Sequence, residues 1–194
     1  MLDNLQKYRV ILASNSPRRK ESLGGLGIHF QVKVLPDIDE SYPADLPVQE
    51  VAGYIAGKKA KAYRPLMTDD ELIITADTVV IVGEEVLGKP VDAEDAKAML
   101  RKLSGRAHQV TTGVCLMTRT TERHFSVTTD VTFKTFEAKE IDYYVEHYCP
   151  MDKAGAYGIQ EWIGYIGCTG LSGSYYNVMG LPVQRIYTEL RQIN

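Results

Sequence analysis

The sequence predicts a single α/β domain built on a mixed sheet, and three observations carry that prediction. Short runs of branched apolar residues alternate with segments of helical periodicity. The first apolar run is followed at once by a helix-start signal and then by another apolar run, a β-α-β opening. The chain has 194 residues at 44% hydrophobic composition, enough to bury one core without staples. No internal repeat, low-complexity tract or linker interrupts residues 1–194, which read as one domain.

Arg9 to Ala13 is strand-like through Val10-Ile11-Leu12. A helix should begin near Pro17, because the Ser16 hydroxyl caps and proline sits where no amide hydrogen is needed. Gly24-Gly25 ends it, and Phe30 to Val34 is the next strand. Ser14, Ser16, Arg18 and Arg19 therefore gather free amides, the positive end of a helix and guanidinium groups at one strand end, which suits a polyphosphate. An ordinary capped helix with two solvated arginines is the other reading of the same residues.

The turn-rich stretch from Pro36 to Pro47 carries Asp37, Asp39 and Glu40. Hard oxygen donors of this kind suit magnesium or manganese, and they equally suit a solvated acidic loop. Val48 to Tyr63 then repeats apolar residues at helical spacing, with Lys58, Lys59 and Lys61 near its C-terminal end. Leu72 to Ala76 is a buried strand and Asp77 follows it directly. A carboxylate projecting there suits a water-activating base or a metal ligand, or a loop aspartate that satisfies local amides. Thr78 orients a ligand or is a plain strand residue.

Strand character resumes over Val79 to Val82, and Gly83-Glu84 turns the chain into Glu85 to Leu87. Lys89, between Gly88 and Pro90, and Lys59 are candidates to neutralise phosphate oxygens, or are surface lysines. Asp92 caps a helix that runs to Leu103 and stops at Gly105. Gln109 to Thr118 and Arg123 to Phe133 read as paired strands around the turn Thr120-Thr121-Glu122. Ala138 to Tyr148 is an amphipathic helix stopped before Pro150.

The glycine- and aromatic-rich stretch from Asp152 to Gly180 yields no assignment of elements. Its first part, Asp152 to Gln160, supplies a ring in Tyr157 and a two-way hydrogen-bonding amide in Gln160, the parts of a base-recognition pocket or of a structural turn. Leu181-Pro182 opens a last helix, Val183 to Arg191.

Composition narrows the function classes. A net charge of -3 with a pI near 5.8 and no basic stripe disfavours nucleic-acid binding. Neither Gly-x-x-x-x-Gly-Lys nor Gly-x-Gly-x-x-Gly is present, which disfavours kinase-type and dinucleotide-type phosphate binding. Cys115, Cys149 and Cys168 form no Cys-x-x-Cys pair, and no apolar run has signal or membrane length, so a cytoplasmic protein away from the membrane is expected. His29, His108, His124 and His147 lack metal-ligand spacing and read as surface or internally satisfied histidines.

Taken together, the chain resembles the Maf family of nucleoside triphosphate pyrophosphatases. The matching pieces are Ala13 to Arg19 with Glu21 and Leu23, Ile38-Asp39-Glu40-Ser41, Lys59-Ala60, Ala76 to Val80 and Leu87-Gly88-Lys89-Pro90. They continue through Leu103-Ser104-Gly105-Arg106, His108, Thr112-Gly113-Val114, Asp152 to Gln160, Asn177-Val178 and Gly180-Leu181-Pro182, in the family's order. The resemblance implies an elongated mixed sheet flanked by helices around a central cleft, and hydrolysis of a nucleoside triphosphate to the monophosphate and pyrophosphate with a divalent cation, Mg2+ or Mn2+. It casts Asp77 as catalytic base and metal ligand, Glu40 as a metal-associated acid, and Ser14, Ser16, Arg18, Arg19, Lys59 and Lys89 as phosphate-binding groups. The form Ala154-Gly155-Ala156-Tyr157-Gly158-Ile159-Gln160 resembles the branch acting on dTTP and UTP, with modified pyrimidine triphosphates as further candidates, and Arg18, Thr78 and Gln160 match substrate-selecting positions. A homodimer is implied as well. Asn15 and Glu161 stand where the family often has glycine, and Glu161 would add negative charge beside the base pocket. The competing class is a non-catalytic nucleotide-responsive regulator of septum formation. Against it, Asp77 and Glu40 keep competent side chains.

Overall fold

The computed structural model describes residues 2–193. Its strands form a mixed seven-stranded sheet flanked by helices, an α/β fold. In chain order the elements are β1 (Arg9–Leu12), α1 (Pro17–Gly24), β2 (Gln31–Val32), α2 (Val51–Tyr63), β3 (Glu71–Val82), β4 (Glu85–Leu87), α3 (Ala93–Leu103), β5 (Ala107–Met117) and β6 (Glu122–Phe133). They continue with α4 (Ala138–Tyr148), α5 (Trp162–Gly167), β7 (Cys168–Ser172), α6 (Tyr175–Val178) and α7 (Val183–Leu190). The strand order is β2-β1-β3-β5-β6-β7, with β4 paired to β3. The chain packs as two compact units.

The first unit comprises Met1–Asp77, Thr112–Val127 and Gly180–Asn194. Here β1 pairs in parallel with both β2 and β3, with Ile11 opposite Gln31 and Ile73. Parallel strands are covered on both faces, and the side-chain period of two decides which residue meets which cover. Leu12, Leu72, Ile74 and Leu116 pack with Leu23 of α1 and with Ile186 and Leu190 of α7. Ile11, Ile73, Cys115 and Met117 point the other way, against Ala60 and Tyr63 of α2.

Contact between α2 and the sheet depends on small residues. Ala52, Ala56 and Ala60 are fully buried, and a Cβ at Gly113 would lie 2.3 Å from Gly53 N and 2.4 Å from Ala52 O. The Thr75 hydroxyl donates to Ala56 O at 2.8 Å, fastening the middle of α2 to β3.

The second unit comprises Thr78–Thr111 and Thr128–Met179. Val80, Leu87, Val131 and Phe133 pack there with Leu100 and Leu103 of α3 and Tyr144 of α4. Asp92 caps α3 by accepting from Asp95 N at 2.8 Å. The chain leaves α3 through Gly105 at φ 72°, whose N–H donates to Lys134 O. A capping box between Glu137 and Glu140 starts α4.

Four sequence expectations change. The second helix starts at Val51 rather than Val48, because Pro47 to Glu50 form a turn closed by Glu50 N–H on Pro47 O. The segment from Phe30 to Val34 shortens to the exposed pair Gln31–Val32. Asp77 lies inside one twelve-residue strand, not after the end of a shorter one. Finally, the unassigned stretch from Asp152 to Gly180 holds α5, β7 and α6.

Candidate active site

In the first unit, β1 delivers the chain to a turn that opens α1. Ser14 is buried and its Oγ accepts from Ser16 N–H at 3.2 Å. Ser16 caps the helix, accepting from Arg19 N–H at 3.4 Å, with Pro17 at the first helical position. The capped helix start is the local geometry the sequence announces, but the free amides are not: the Ser16 and Arg19 N–H groups go to the two serine hydroxyls, Lys20 N–H goes to Ser16 O, and Pro17 has none, which leaves the positive end of the helix dipole.

The two arginines separate in role. Arg19 sinks its guanidinium into the unit, donating from Nε to Gly180 O and from Nη1 to Ala76 O, both at 2.8 Å. Burial pulls its pKa below the ordinary value, opposed by the Asp77 charge. Arg19 thus braces the strand carbonyl next to Asp77 and the turn before α7. Arg18 is half-buried on the same helix start, and its charge adds to the lowering at Arg19.

Asp77 is 9% exposed. Its Oδ1 accepts from Lys59 Nζ at 2.8 Å, and the same ammonium lies 3.0 Å from Glu40 Oε1. One cation from α2 therefore bridges a buried carboxylate on β3 and a more exposed one on the acidic loop. Burial pushes the Asp77 carboxyl above the ordinary range and Glu40 pushes the same way, while Lys59 and Arg19 pull against them.

The acidic loop is ordered by its own neighbours. Asp39 accepts from Ser41 N–H at 2.9 Å and from the Ser41 hydroxyl at 2.8 Å, and Lys58 Nζ binds Asp39 Oδ2 at 2.7 Å. Lys58 holds the Asp39 carboxyl well below the usual carboxylate range, with Ser41 assisting. Upstream, the Tyr63 hydroxyl donates to Lys33 O at 2.8 Å and accepts from Leu35 N–H at 3.0 Å. Consecutive lysines of α2 thus grip consecutive acids of the loop. The sequence showed Lys58 only as one of three helix-end lysines, and no local signal distinguishes its role.

Ser14, Ser16, Arg18, Arg19, Glu40, Lys59 and Asp77 all belong to the first unit, whereas Thr78, Lys89 and Gln160 belong to the second. Within the second unit, Lys89 is exposed beside Gly88, whose carbonyl accepts from Gly155 N–H at 3.0 Å. Gly155 adopts φ 66°, and a Cβ there would meet Val80 Cγ2 at 2.8 Å, so the Gly88 and Gly155 loops close tightly.

Gln160 is half-buried, and its Oε1 is buried with no hydrogen-bond partner in the protein. An unsatisfied buried acceptor is costly and asks for a donor. The backbone around it is fixed. Gly158 N–H donates to the Tyr144 hydroxyl at 3.0 Å, Tyr144 donates to Glu161 Oε2, and Lys153 Nζ lies 3.1 Å from Glu161 Oε1.

One expectation is corrected here. Tyr157 is not a ring offered for stacking: it packs edge-on to Phe133 with ring centroids 4.9 Å apart, and its hydroxyl meets His108 Nε2 at 2.8 Å. Glu161 is held in place, with Lys153 and Tyr144 engaging its two oxygens, and it shares the Lys153 ammonium with Asp152. His108 is an internally bonded histidine, its pKa pushed down to about 4 by burial.

The sequence model of the family described as "Maf-like protein" matches residues 9–193. The chain is 62% identical over 193 residues to a dTTP/UTP pyrophosphatase of Phocaeicola vulgatus, with all of both chains covered. It is 58% identical to one of Bacteroides thetaiotaomicron, again with all of both covered. Against a dTTP/UTP pyrophosphatase of Flavobacterium johnsoniae it is 43% identical, covering 97% of this chain and 96% of that one.

Proposed function

The chain belongs to the Maf family, and from that premise we propose that it hydrolyses dTTP and UTP to the monophosphate and pyrophosphate. Its full-length relatives carry that activity in their names. The observation that carries the reading at the level of chemistry is the Glu40–Lys59–Asp77 arrangement, a buried carboxylate of raised pKa held beside a fixed cation.

Asp77 is assigned as the general base. It takes a proton from water as the water oxygen bonds to the α-phosphorus, the bond from that phosphorus to the α,β-bridging oxygen breaks, and the electron pair leaves with pyrophosphate. Burial makes Asp77 a stronger base than a surface carboxylate, while Lys59 pulls in the opposite direction, toward the ionised form. The positive end of α1, with Ser14, Ser16 and Arg18, receives phosphate oxygens. Arg19 holds the Ala76 carbonyl and so the direction of Asp77. Lys89 adds charge for the phosphates, and Thr78 and Gln160 select the base. The unpartnered Gln160 Oε1 supports that assignment, because the N3–H of uracil or thymine is the donor it lacks.

The donor set also fits a divalent cation. Two carboxylates converge on one positive atom, Lys59 Nζ, within 3.0 Å of each, and oxygen donors of this type suit Mg2+ or Mn2+. Glu40 and Asp77 would hold the ion, which would supply Lewis-acid polarisation of the phosphates when bound.

Steady-state hydrolysis with product identification tests the proposal. Asp77→Asn should lower kcat by about 10²- to 10⁴-fold with the fold intact. Orthophosphate and a diphosphate as products, or activity of the variant within about tenfold of the parent, would overturn the reading.

A further inference from the structure

The hairpin of β5 and β6 carries a group of side chains that nucleotide hydrolysis leaves unused. Thr118 N–H donates to Thr121 O at 2.8 Å and closes the turn. Cys115 of β5 then faces Glu122 and His124 of β6, which are two apart and share a face. Cys115 Sγ lies 3.8 Å from His124 Nε2 and 3.9 Å from Glu122 Oε1, and those two atoms are 2.6 Å apart. Among the described residues this is a group of three metal-capable side chains within one ion's reach.

We propose that Cys115, Glu122 and His124 form a binding site for a zinc-type divalent cation, with water in the fourth position.

A thiolate, an imidazole and a carboxylate are a zinc donor set, and the sulfur selects against magnesium and calcium. Bond lengths of about 2.3, 2.05 and 2.1 Å at tetrahedral angles require ligand separations of about 3.6, 3.6 and 3.4 Å. The two sulfur separations already lie near those values. Only the His124–Glu122 separation must open, by somewhat under 1 Å, as the ion replaces the hydrogen bond between them. The His124 side chain is half exposed and can make that shift.

The surroundings are arranged accordingly. Arg64, from the 3-10 turn that follows α2, binds the other oxygen of Glu122 and orients the carboxylate. Gly57 of α2 lies beside the imidazole, where a Cβ would come to 3.4 Å from His124 Cε1. A nucleophile relay is the other use of cysteine, histidine and glutamate, and the geometry excludes it. Sulfur and carboxylate meet the same ring nitrogen, whereas a relay needs them on opposite ones. On coordination the Sγ–H bond breaks, the Sγ–metal bond forms and the proton passes to solvent.

The test titrates the full chain with Co2+, without nucleotide and with excess Mg2+ to fill oxygen-donor sites, followed by competition with Zn2+. One equivalent of Co2+ should produce a thiolate-to-cobalt charge-transfer band in the near ultraviolet, which Zn2+ removes. Cys115→Ser should abolish the band, and His124→Ala, at an exposed position, should weaken Co2+ binding by about tenfold or more. No band in the unsubstituted protein, a band surviving Cys115→Ser, or unchanged affinity in His124→Ala overturns the proposal. Without nucleotide present, the outcome is independent of the hydrolytic assignment.

Discussion

Replacing Lys59 by methionine removes the cation shared by Asp77 and Glu40 while keeping most of the side chain's packing. At the observed 2.8 Å, with an effective dielectric of about 20, the Lys59–Asp77 attraction is about 6 kcal/mol before desolvation is subtracted. Both side chains are little exposed, at 13% and 12%, so screening by solvent is modest. Breaking buried pairs costs about 3–5 kcal/mol net, which for a chain of this size is roughly a 10 °C fall in Tm. That loss should depend on pH with a definite sign. Burial already raises the Asp77 pKa in the folded state, and losing Lys59 raises it further. A carboxyl whose folded pKa lies above its unfolded value favours the fold at low pH and loses that contribution as pH rises through the folded pKa. The Tm gap between parent and Lys59→Met should therefore be widest at alkaline pH and should narrow on acidification, as Asp77 takes a proton in place of its partner. In the same variant the acid limb of kcat/KM should move to higher pH, with activity down by about 10²- to 10³-fold. Thermal unfolding across pH, paired with the kinetic profile, reads both. A Tm gap that does not change with pH, together with an unmoved acid limb, would refute the argument.

Three further outcomes follow from the geometry. Gly113→Ala places a Cβ 2.3 Å from the backbone of α2, so urea unfolding should show a loss of about 3 kcal/mol or more, and activity should fall because Lys59 moves with its helix. Gln160→Ala removes the unpartnered acceptor and should compress the kcat/KM ratio between pyrimidine and purine triphosphates by about 1–3 kcal/mol, measured by competition assays. Glu161→Gln leaves the buried Lys153 with Asp152 as its ionised partner. It should cost about 2 kcal/mol in urea and raise KM more than it lowers kcat, since the Gly158–Gln160 segment loses its anchor.

What could be read from the chain follows how local each determinant is. Helices α1, α3 and α4 were legible because Ser16, Asp92, Gly105 and Pro150 act within a few residues of the ends they define. The start of α2 was not, since Glu50 makes no side-chain cap and periodicity alone marks that end. Asp77 reads as the end of a strand because aspartate is a poor strand residue. The strand continues through it, and Lys59, eighteen positions earlier, pairs with the carboxylate there. The stretch after Gln160 resisted reading for the same reason. A Cβ at Gly164 would lie 1.9 Å from Ile159 O, and one at Gly167 would lie 2.4 Å from the Phe136 ring, so these glycines answer to packing rather than to turns. Of the site, the Ser14–Arg19 turn is local and shows itself. The pairing of consecutive α2 lysines with consecutive loop acids is tertiary and does not.

The close seating of α2 against the sheet has a consequence for how variation at this protein should be interpreted. The reach of Lys59 is set by what is missing at Gly113 and by the small size of Ala52, Ala56 and Ala60. A comprehensive mutational scan scored on hydrolysis would mark these four positions as intolerant, beside Asp77 and Lys59. None of them carries a group that can meet a nucleotide. Their intolerance would be a ruler's intolerance, since each added methylene lengthens the distance over which the helix delivers one ammonium group.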